Sequence, residues 1–284
     1  KDGYIPIITG FQGITDQGDT TTMGRGGSDT TAVAIAASIK AKRCDIYTDV
    51  DGIYTTDPRI VPEAKKLDSI SIEEMLELAG QGAKVMQTRA VEFANKYKVL
   101  VRVLSSFEPG SGTLILQEEE GMEDAVITGI ASQENQTKIT LHGVVDTPGI
   151  ASGILSPISD AGIEVDVIVQ NVSVSGKTDF TFTVGTSDRA EAETVLKEKM
   201  QGITYDELMI DEGIGKVSLV GVGMRSHAGI ASTAFNALAD AGINIQMIST
   251  SEIKISCVIE EQYTELAVRV LHDTFGLDHA TEDK

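Results

Sequence analysis

Apolar and polar positions alternate along the chain with two different periods. Residues 4–11, Tyr-Ile-Pro-Ile-Ile-Thr-Gly-Phe, are almost continuously apolar and read as a buried strand running into a glycine-rich loop. From 28 to 42 small apolar residues recur without glycine or proline, which predicts a well-packed helix. Residues 45–50 follow as a strand, and 51–59 as a loop. Ser71-Ile72-Glu73-Glu74 has the form of a capping box and predicts a helix through Ala79. A helix over 84–97 and a strand over 99–104 complete an alternation of strand and helix, the pattern of a parallel sheet. Residues 107–112 are a turn-rich exit, and Glu118-Glu119-Glu120-Gly121 reads as a linker. A strand needs neighbours and almost nothing precedes the first one, so the chain is expected to be truncated at its N-terminus.

The second part contains an internal repeat. Gly149-Ile150-Ala151-Ser152 recurs as Gly229-Ile230-Ala231-Ser232, and Asp160-Ala161-Gly162-Ile163 as Asp240-Ala241-Gly242-Ile243, both offset by 80. Lys138-Ile139 and Lys216-Val217 are offset by 78, so one loop gains two residues in the second copy. Copy one reads strand 138–144, helix 150–161, strand 165–172, strand 178–184, helix 189–200 and a closing strand 205–211. That order is a ferredoxin-like βαββαβ unit. Copy two reads strand 216–221, helix 230–241, strands 243–250 and 254–259, and helix 263–275, after which a short polar tail makes a poor last strand. Residues 125–131 form an orphan strand before copy one. The expected arrangement places that orphan in copy two, with copy one inserted inside it. The domain division is therefore 1–117, a linker 118–124, a first repeat unit 136–213, and a second made from 125–135 and 214–284.

Composition narrows the function. Hydrophobic residues make up 41% and charged residues 23% of 284, a globular balance. No apolar run approaches the ~20 residues of a membrane span. Two distant cysteines, Cys44 and Cys257, exclude a disulfide scaffold and point to a cytoplasmic setting. The net charge of -20 argues against nucleic acid. It is uneven: 13 basic and 15 acidic residues up to Gln117, against 10 and 28 beyond it. The first part can host anionic ligands that the second would repel.

The stretch from Thr20 to Thr31 carries the most chemistry. Glycines let backbone N–H groups approach an anion, and the helix N-terminus that follows favours negative charge. Arg25 offers a bidentate fork for a carboxylate or phosphate. Ser28 and Asp29 fit the helix N-cap equally well. Thr48-Asp49-Val50-Asp51-Gly52 ends a strand, where α/β sheets bind ligands, and a carboxylate there can hold Mg²⁺ or nucleotide hydroxyls, or simply close an Asx-turn. Lys84, after a glycine and near a helix start, is either a phosphate neutraliser or a solvated helix residue.

These residues resemble a known family. GFQG at 10–13, TTMGRGGSDTTAVA at 21–34, TDVDGIYTTDPRIV at 48–61, ISIEEMLELAGQGAKVM at 70–86 and the closing SSF and GTLI are similar to the aspartate kinases, members of the amino-acid kinase fold. The repeat resembles that family's paired ACT domains. The likeness covers essentially the whole chain. It implies an α/β protein: the C-terminal portion of an amino-acid-kinase parallel-sheet domain, then two ferredoxin-like ACT domains. It implies transfer of the γ-phosphoryl group of Mg-ATP to the side-chain carboxylate of L-aspartate, giving 4-phospho-L-aspartate. Asp29 and Lys84 would be catalytic, Asp29 orienting lysines and Lys84 meeting the transferring phosphate. Arg25, Gly26, Gly27 and Ser28 would bind aspartate. Thr48, Asp49, Tyr54, Arg59, Lys84 and Val85 would bind nucleotide. Met23 stands where leucine is usual, a volume-conserving change. Nothing here matches the family's opening KFGG-type segment, so this stretch alone is expected to be inactive.

The resemblance also implies feedback by lysine, threonine or both. Asp146-Thr147-Pro148-Gly149-Ile150-Ala151 runs into a helix N-terminus and suits a ligand carboxylate, with Asp146 for an ammonium, or else is a plain helix cap. Asp146, Gly149, Ala151, Val165, Asp166 and Gln170 would line the effector site, faced by Asn244, Ile245, Thr250, Ser251 and Glu252. The second-copy loop, 224–229, lacks the Asp-x-Pro-Gly form, and His227 there reads as a loop or interface residue. Signals would reach the kinase part through 105–125. A homo-oligomer is expected, or an α₂β₂ assembly with Met122 as an internal start. The competing readings are a non-catalytic amino-acid-sensing regulatory subunit and an acetylglutamate- or glutamate-type kinase. The paired ACT units disfavour the latter.

Overall fold

A computed structural model describes residues 3–83, 85–117, 126–171, 176–200 and 202–278. β1 (Gln12–Ile14) and β2 (Thr20–Thr22) form a short antiparallel hairpin. Then come α1 (Gly27–Ser38), β3 (Cys44–Thr48), β4 (Ser69–Ser71), α2 (Ile72–Gly80), α3 (Thr88–Tyr97), β5 (Val101–Ser105) and β6 (Thr113–Leu116). Their sheet runs in the order β3-β5-β6-β4. β3 pairs parallel with β5 and β4 parallel with β6, while the β5–β6 ladder is antiparallel, so the sheet is mixed. The three helices bury Val33, Met75, Leu78, Ala90 and Val91 against Ile46, Val101, Val103 and Ile115 of the strands. The capping box is present in full: Ser71 Oγ accepts from the Glu74 N–H, and Glu74 reaches back to the Ser71 N–H.

The opening departs from the sequence reading. Tyr4, Ile5, Ile7 and Ile8 are exposed and belong to no strand. An apolar strand is held by its ladder, and among the described residues none pairs with this one. The helix expected over 84–97 begins later, at Thr88. Lys84 itself lies outside the described residues, as do the 118–124 linker and Met122.

The repeat folds around two long strands. β7 (Gly129–Val145) and β10 (Glu207–Val220) pair antiparallel along their length, from Glu207 opposite His142 to Val220 opposite Gly129. α4 (Ile150–Asp160), β8 (Val165–Gln170), β9 (Lys177–Gly185) and α5 (Arg189–Lys199) complete the first unit. α6 (Ile230–Asp240), β11 (Met247–Thr250), β12 (Lys254–Glu260) and α7 (Thr264–Thr274) complete the second. The six strands lie in the order β11-β12-β10-β7-β9-β8. Sequence had suggested separate strands 125–131 and 138–144, and 205–211 and 216–221. Each pair is one strand instead, bridged by polar residues whose ladder shifts between Asp211 and Lys216. Asn135 and Gly213 take the left-handed backbone at that crossing, as bulges do.

The two units are tied by reciprocal contacts. Lys138 Nζ donates to Gln246 Oε1 at 2.7 Å, and Lys216 Nζ pairs with Asp166. Lys138 and Lys216 are offset by 78, Asp166 and Gln246 by 80, so these are one contact made twice by the repeat. Lys216 is buried, and desolvation holds its ammonium below the usual lysine range, with Asp166 opposing.

The first domain packs against the second unit. Val61 and Ala64 join the core of Ala267, Val268 and Leu271 on α7. Thr55 C=O accepts from Ile130 N–H at 2.7 Å, and the Thr55 hydroxyl lies 3.0 Å from Nε2 of buried His272. Burial depresses the His272 pKa, while Asp278, Glu63 and Asp273 oppose the shift. A histidine held neutral when folded stabilises the fold above its unfolded pKa of about 6.5, and the contribution is lost as pH falls below that value. Urea unfolding midpoints should therefore fall between about pH 7 and pH 5 more steeply for the wild type than for His272→Gln. Parallel slopes would show that His272 does not carry the effect.

Candidate functional site

The site is built where helices start and strands end. α1 leads into β3 and α3 into β5 through short connections, and β3 and β5 are parallel. Each helix therefore runs antiparallel to the strand that follows it. The N-termini of α1 and α3 and the C-terminus of β3 meet at one edge of the sheet, where open α/β sheets bind ligands.

At this edge Gly24 and Gly26 have φ of 77° and 68°. Gly26 is the N-cap of α1, with left-handed backbone and no side-chain cap bond. Neither Ser28 nor Asp29 is the cap, as their polar side chains had suggested; both sit in the first turn. Ser28 Oγ lies 3.5 Å from Asp29 Oδ1. A Cβ on Gly26 would run into the Gln87 side chain, so only glycine lets the two segments close. Half-burial raises the Asp29 pKa, opposed by the Ser28 hydroxyl and by the backbone of nearby Gln87. The segment after α2 thus meets the glycine turn before α1 at Gln87. Arg25 is exposed and has no ion pair among the described residues. Gly27 is buried against Met23 and Phe11.

At the end of β3, Thr48 Oγ1 donates to Asp49 Oδ1 at 3.1 Å, and Asp49 is exposed. Tyr54 Oη donates to Asp51 at 2.8 Å, and Lys66 pairs with the same carboxylate at 3.0 Å. Those two partners hold the Asp51 pKa down against desolvation, the largest influence on it. Arg59 forks onto Asp57 at 2.6 Å and feels the charge of Asp49. Among the described residues no three His, Cys, Asp or Glu side chains cluster as a metal cage.

In the repeat, Asp146, Gly149, Ala151 and Gln170 line one open groove of about 440 Å³ together with Thr147, Pro148 and Ile150. Gly149, with φ of 93°, caps α4 with no side-chain cap bond, and the Ile150 N–H turns back to the Thr147 carbonyl at 3.1 Å. Val165 and Asp166 do not line that groove, and the Asp166 carboxylate is held by Lys216. Asn244, Ile245, Thr250, Ser251 and Glu252 do not line it either; β8 and β11 are the two opposite edges of the sheet. Glu252 instead faces Arg225 at 3.6 Å. His227 Nδ1 lies 2.8 Å from the Gly223 carbonyl, a contact within its own loop.

Sequence reasoning missed Gln87 and Glu74. The Glu74 signal was hidden because a capping box accounts for a glutamate at that position by itself. A glycine before Gln87's loop was visible, but nothing in the sequence says what approaches it.

Residues 1–105 match the amino acid kinase family, and 139–199 and 217–275 each match the ACT domain. Fold and site thus define an amino-acid-kinase sheet joined to a doubled ACT unit. The aspartokinase of Pseudomonas aeruginosa is 59% identical over 280 residues, covering 98% of this chain and 68% of that protein. The crystal structure of E. coli aspartokinase III with aspartate and ADP, in the R-state, is 32% identical with a TM-score of 0.79, over 93% of this chain and 59% of that one. The same enzyme with lysine and aspartate, in the T-state, is 32% identical with a TM-score of 0.73, over 94% and 59%. The chain belongs to the aspartokinase family. It spans about two thirds of the curated relative's length and less than two thirds of the solved chain.

The cap assignment has a direct test in urea unfolding. Gly26→Ala, which forces a side chain into left-handed backbone and into Gln87, should cost about 1–3 kcal/mol. Ser28→Ala should stay within about 0.5 kcal/mol. The reverse order would restore Ser28 as the cap.

Proposed function

We propose that this protein transfers the γ-phosphoryl group of ATP to the side-chain carboxylate of L-aspartate and is restrained by lysine, threonine or both. An aspartate carboxylate oxygen forms the new P–O bond, the bond from γ-phosphorus to the β,γ-bridging oxygen breaks, and ADP leaves with its electron pair. The observation that carries this reading is the meeting of Arg25, Asp29 and the Gln87 loop at the N-terminus of α1.

Each residue has a physical task. Arg25, exposed and without an ion pair among the described residues, grips a substrate carboxylate through its planar fork, with the Gly26–Ser28 turn presenting N–H groups beside it. Asp29, half-buried near Gln87, is assigned the task of orienting the lysines that meet phosphate, Lys84 among them. Thr48, Asp49, Tyr54 and Arg59 stand at the strand end for the nucleotide, with Val85 on the loop opposite. Tyr54 and Arg59 are already oriented by Asp51 and Asp57, so nucleotide contacts cost them little further ordering. Mg²⁺ fits this donor set, since it uses one or two carboxylates plus substrate phosphates rather than a protein cage, and Asp49 is the exposed carboxylate in place. Bound there, the metal would neutralise phosphate charge. Catalysis otherwise rests on positioning and charge.

The effector reading rests on the groove at Asp146–Ala151 and Gln170. N–H groups at the start of α4 would take an amino acid's carboxylate, and Asp146 its ammonium. Because Asn244–Glu252 lie at the other edge of the sheet, they can close that groove only from a second chain. A homo-oligomer, or an α₂β₂ assembly, follows from this reading. A cytoplasmic setting agrees with two free, buried cysteines and with the absence, among the described residues, of a helix long and apolar enough to cross a membrane.

In the full-length protein, Asp29→Ala should reduce aspartate-dependent ADP formation by about 10²-fold or more, and Arg25→Ala should raise the KM for aspartate by at least about tenfold. Calorimetric titration with threonine and with lysine should give saturable binding that Asp146→Ala abolishes, while methionine stays silent. Unchanged turnover in Asp29→Ala would remove the catalytic assignment. Effector binding that survives Asp146→Ala would remove the regulatory one.

A further inference from the structure

Helix α2 is held by the second ACT unit at both ends. At its start, Glu74 is buried, and its carboxylate takes four bonds. Oε2 accepts from Ser71 N–H at 3.2 Å and Ser71 Oγ at 2.8 Å. Oε1 accepts from Thr128 Oγ1 at 2.5 Å and Val222 N–H at 3.1 Å. One oxygen thus caps the kinase helix, and the other binds the residues entering β7 and leaving β10. Among the described residues no cation pairs with it, so these four donors alone satisfy the buried carboxyl group. Ion pairs surround this node: Glu73 with Arg225 at 2.7 Å, and Glu77 with Lys254 at 2.9 Å. At the far end, Ser218 Oγ donates to Gln81 Oε1 at 3.1 Å. Gly82, with φ of 106°, lies so close to the Ser132 carbonyl that a Cβ would overlap it.

The repeat says what this contact replaces. Arg225 lies in the second-copy loop that corresponds to Asp146–Gly149 of the first copy. The first-copy loop borders an open groove. The second spends its arginine on Glu73 and Glu252. We propose that the second-copy loop is a docking site for the first turn of α2, and that Glu74 is the positioning residue through which the ACT sheet sets the Gln81–Gln87 loop against Gly26 and Asp29. α2 is then the strut between regulation and chemistry, in place of the 105–125 route suggested by the sequence. The functional meaning of that strut rests on the reading given under Proposed function; its mechanical part does not.

Hydrogen exchange on the full chain tests it. Thr128→Val keeps the side-chain shape and removes one donor to Glu74, and Thr128→Ser keeps the donor. Thr128→Val should speed exchange at Gln81, Ala83 and Ala90 by at least about tenfold, while Phe182 in β9 stays within about twofold. Thr128→Ser should match the wild type. No acceleration, or equal acceleration at Phe182, overturns the proposal, since a strut is a local device. A second arm adds saturating threonine or lysine. Wild-type exchange at Ala83 and Ala90 should shift by about fivefold or more, and the shift should vanish in Thr128→Val although the ligand still binds. Binding without any shift in the wild type overturns the proposal. If the wild type binds neither amino acid, the effector reading falls instead, and the comparison without ligand decides the strut.

Discussion

The rest of the molecule depends on the antiparallel ladder between β7 and β10. Each strand is long enough to serve two units. The first half of β7 gives the second unit an edge that its own sequence does not supply, and the first half of β10 does the same for the first. Shared strands make the two units one folding object, because neither can complete its sheet alone. The polar crossing is where the ladder slips, and Lys138 and Lys216 bridge the units near it. A buried ammonium is costly unless paired, so the Lys216–Asp166 contact adds specificity to the arrangement more surely than net stability.

That ladder also faces the kinase sheet. Val220 and Ala131 belong to the same apolar cluster as Met75 and Leu78 of α2, while Val217 and Leu219 point to the opposite side, toward α6 and α7. The second half of β10, Ile214 to Val220, is therefore buried on both faces even though it carries Lys216 and Ser218. Its polar side chains are matched: Ser218 meets Gln81 on the kinase side and Lys216 meets Asp166, while Thr128, just before β7, meets Glu74. The amino-acid-kinase sheet and the second ACT unit thus share a core.

Much of this was legible in the sequence, and the failures have physical causes. Identity at fixed offset exposed the repeat because both copies need the same glycine cap and the same helix-ending turn. The capping box at Ser71 was readable because it is a local signal. Local signals misled at Ser28, where a good cap residue follows a glycine that already caps the helix in left-handed backbone. They misled again at 4–11, where apolar character records a demand for partners and not their presence. The effector residues divided for a similar reason. Asp146, Gly149, Ala151 and Gln170 are brought together by one loop and its neighbouring strand. Asn244–Glu252 were expected to face them across paired ACT units, and sheet order, which no short window contains, puts them at the other edge of this chain's sheet.

The two copies of the repeat show how duplication separates tasks. Gly149 and Gly229 cap their helices with nearly identical backbone, φ of 93° and 95°. Such a cap leaves N–H groups and the positive end of a helix dipole available for an anion. In the first copy the preceding loop is short, carries Asp146 and stays open. In the second it is two residues longer, folds into a 3-10 turn over Val222–Ser226, and presents Arg225 and the Val222 N–H to carboxylates of the same chain. The second-copy loop meets carboxylates inside the molecule where the first-copy loop borders an open groove. That exchange needs no change in the framework, only a longer loop and a glutamate whose second oxygen was left over from capping its own helix.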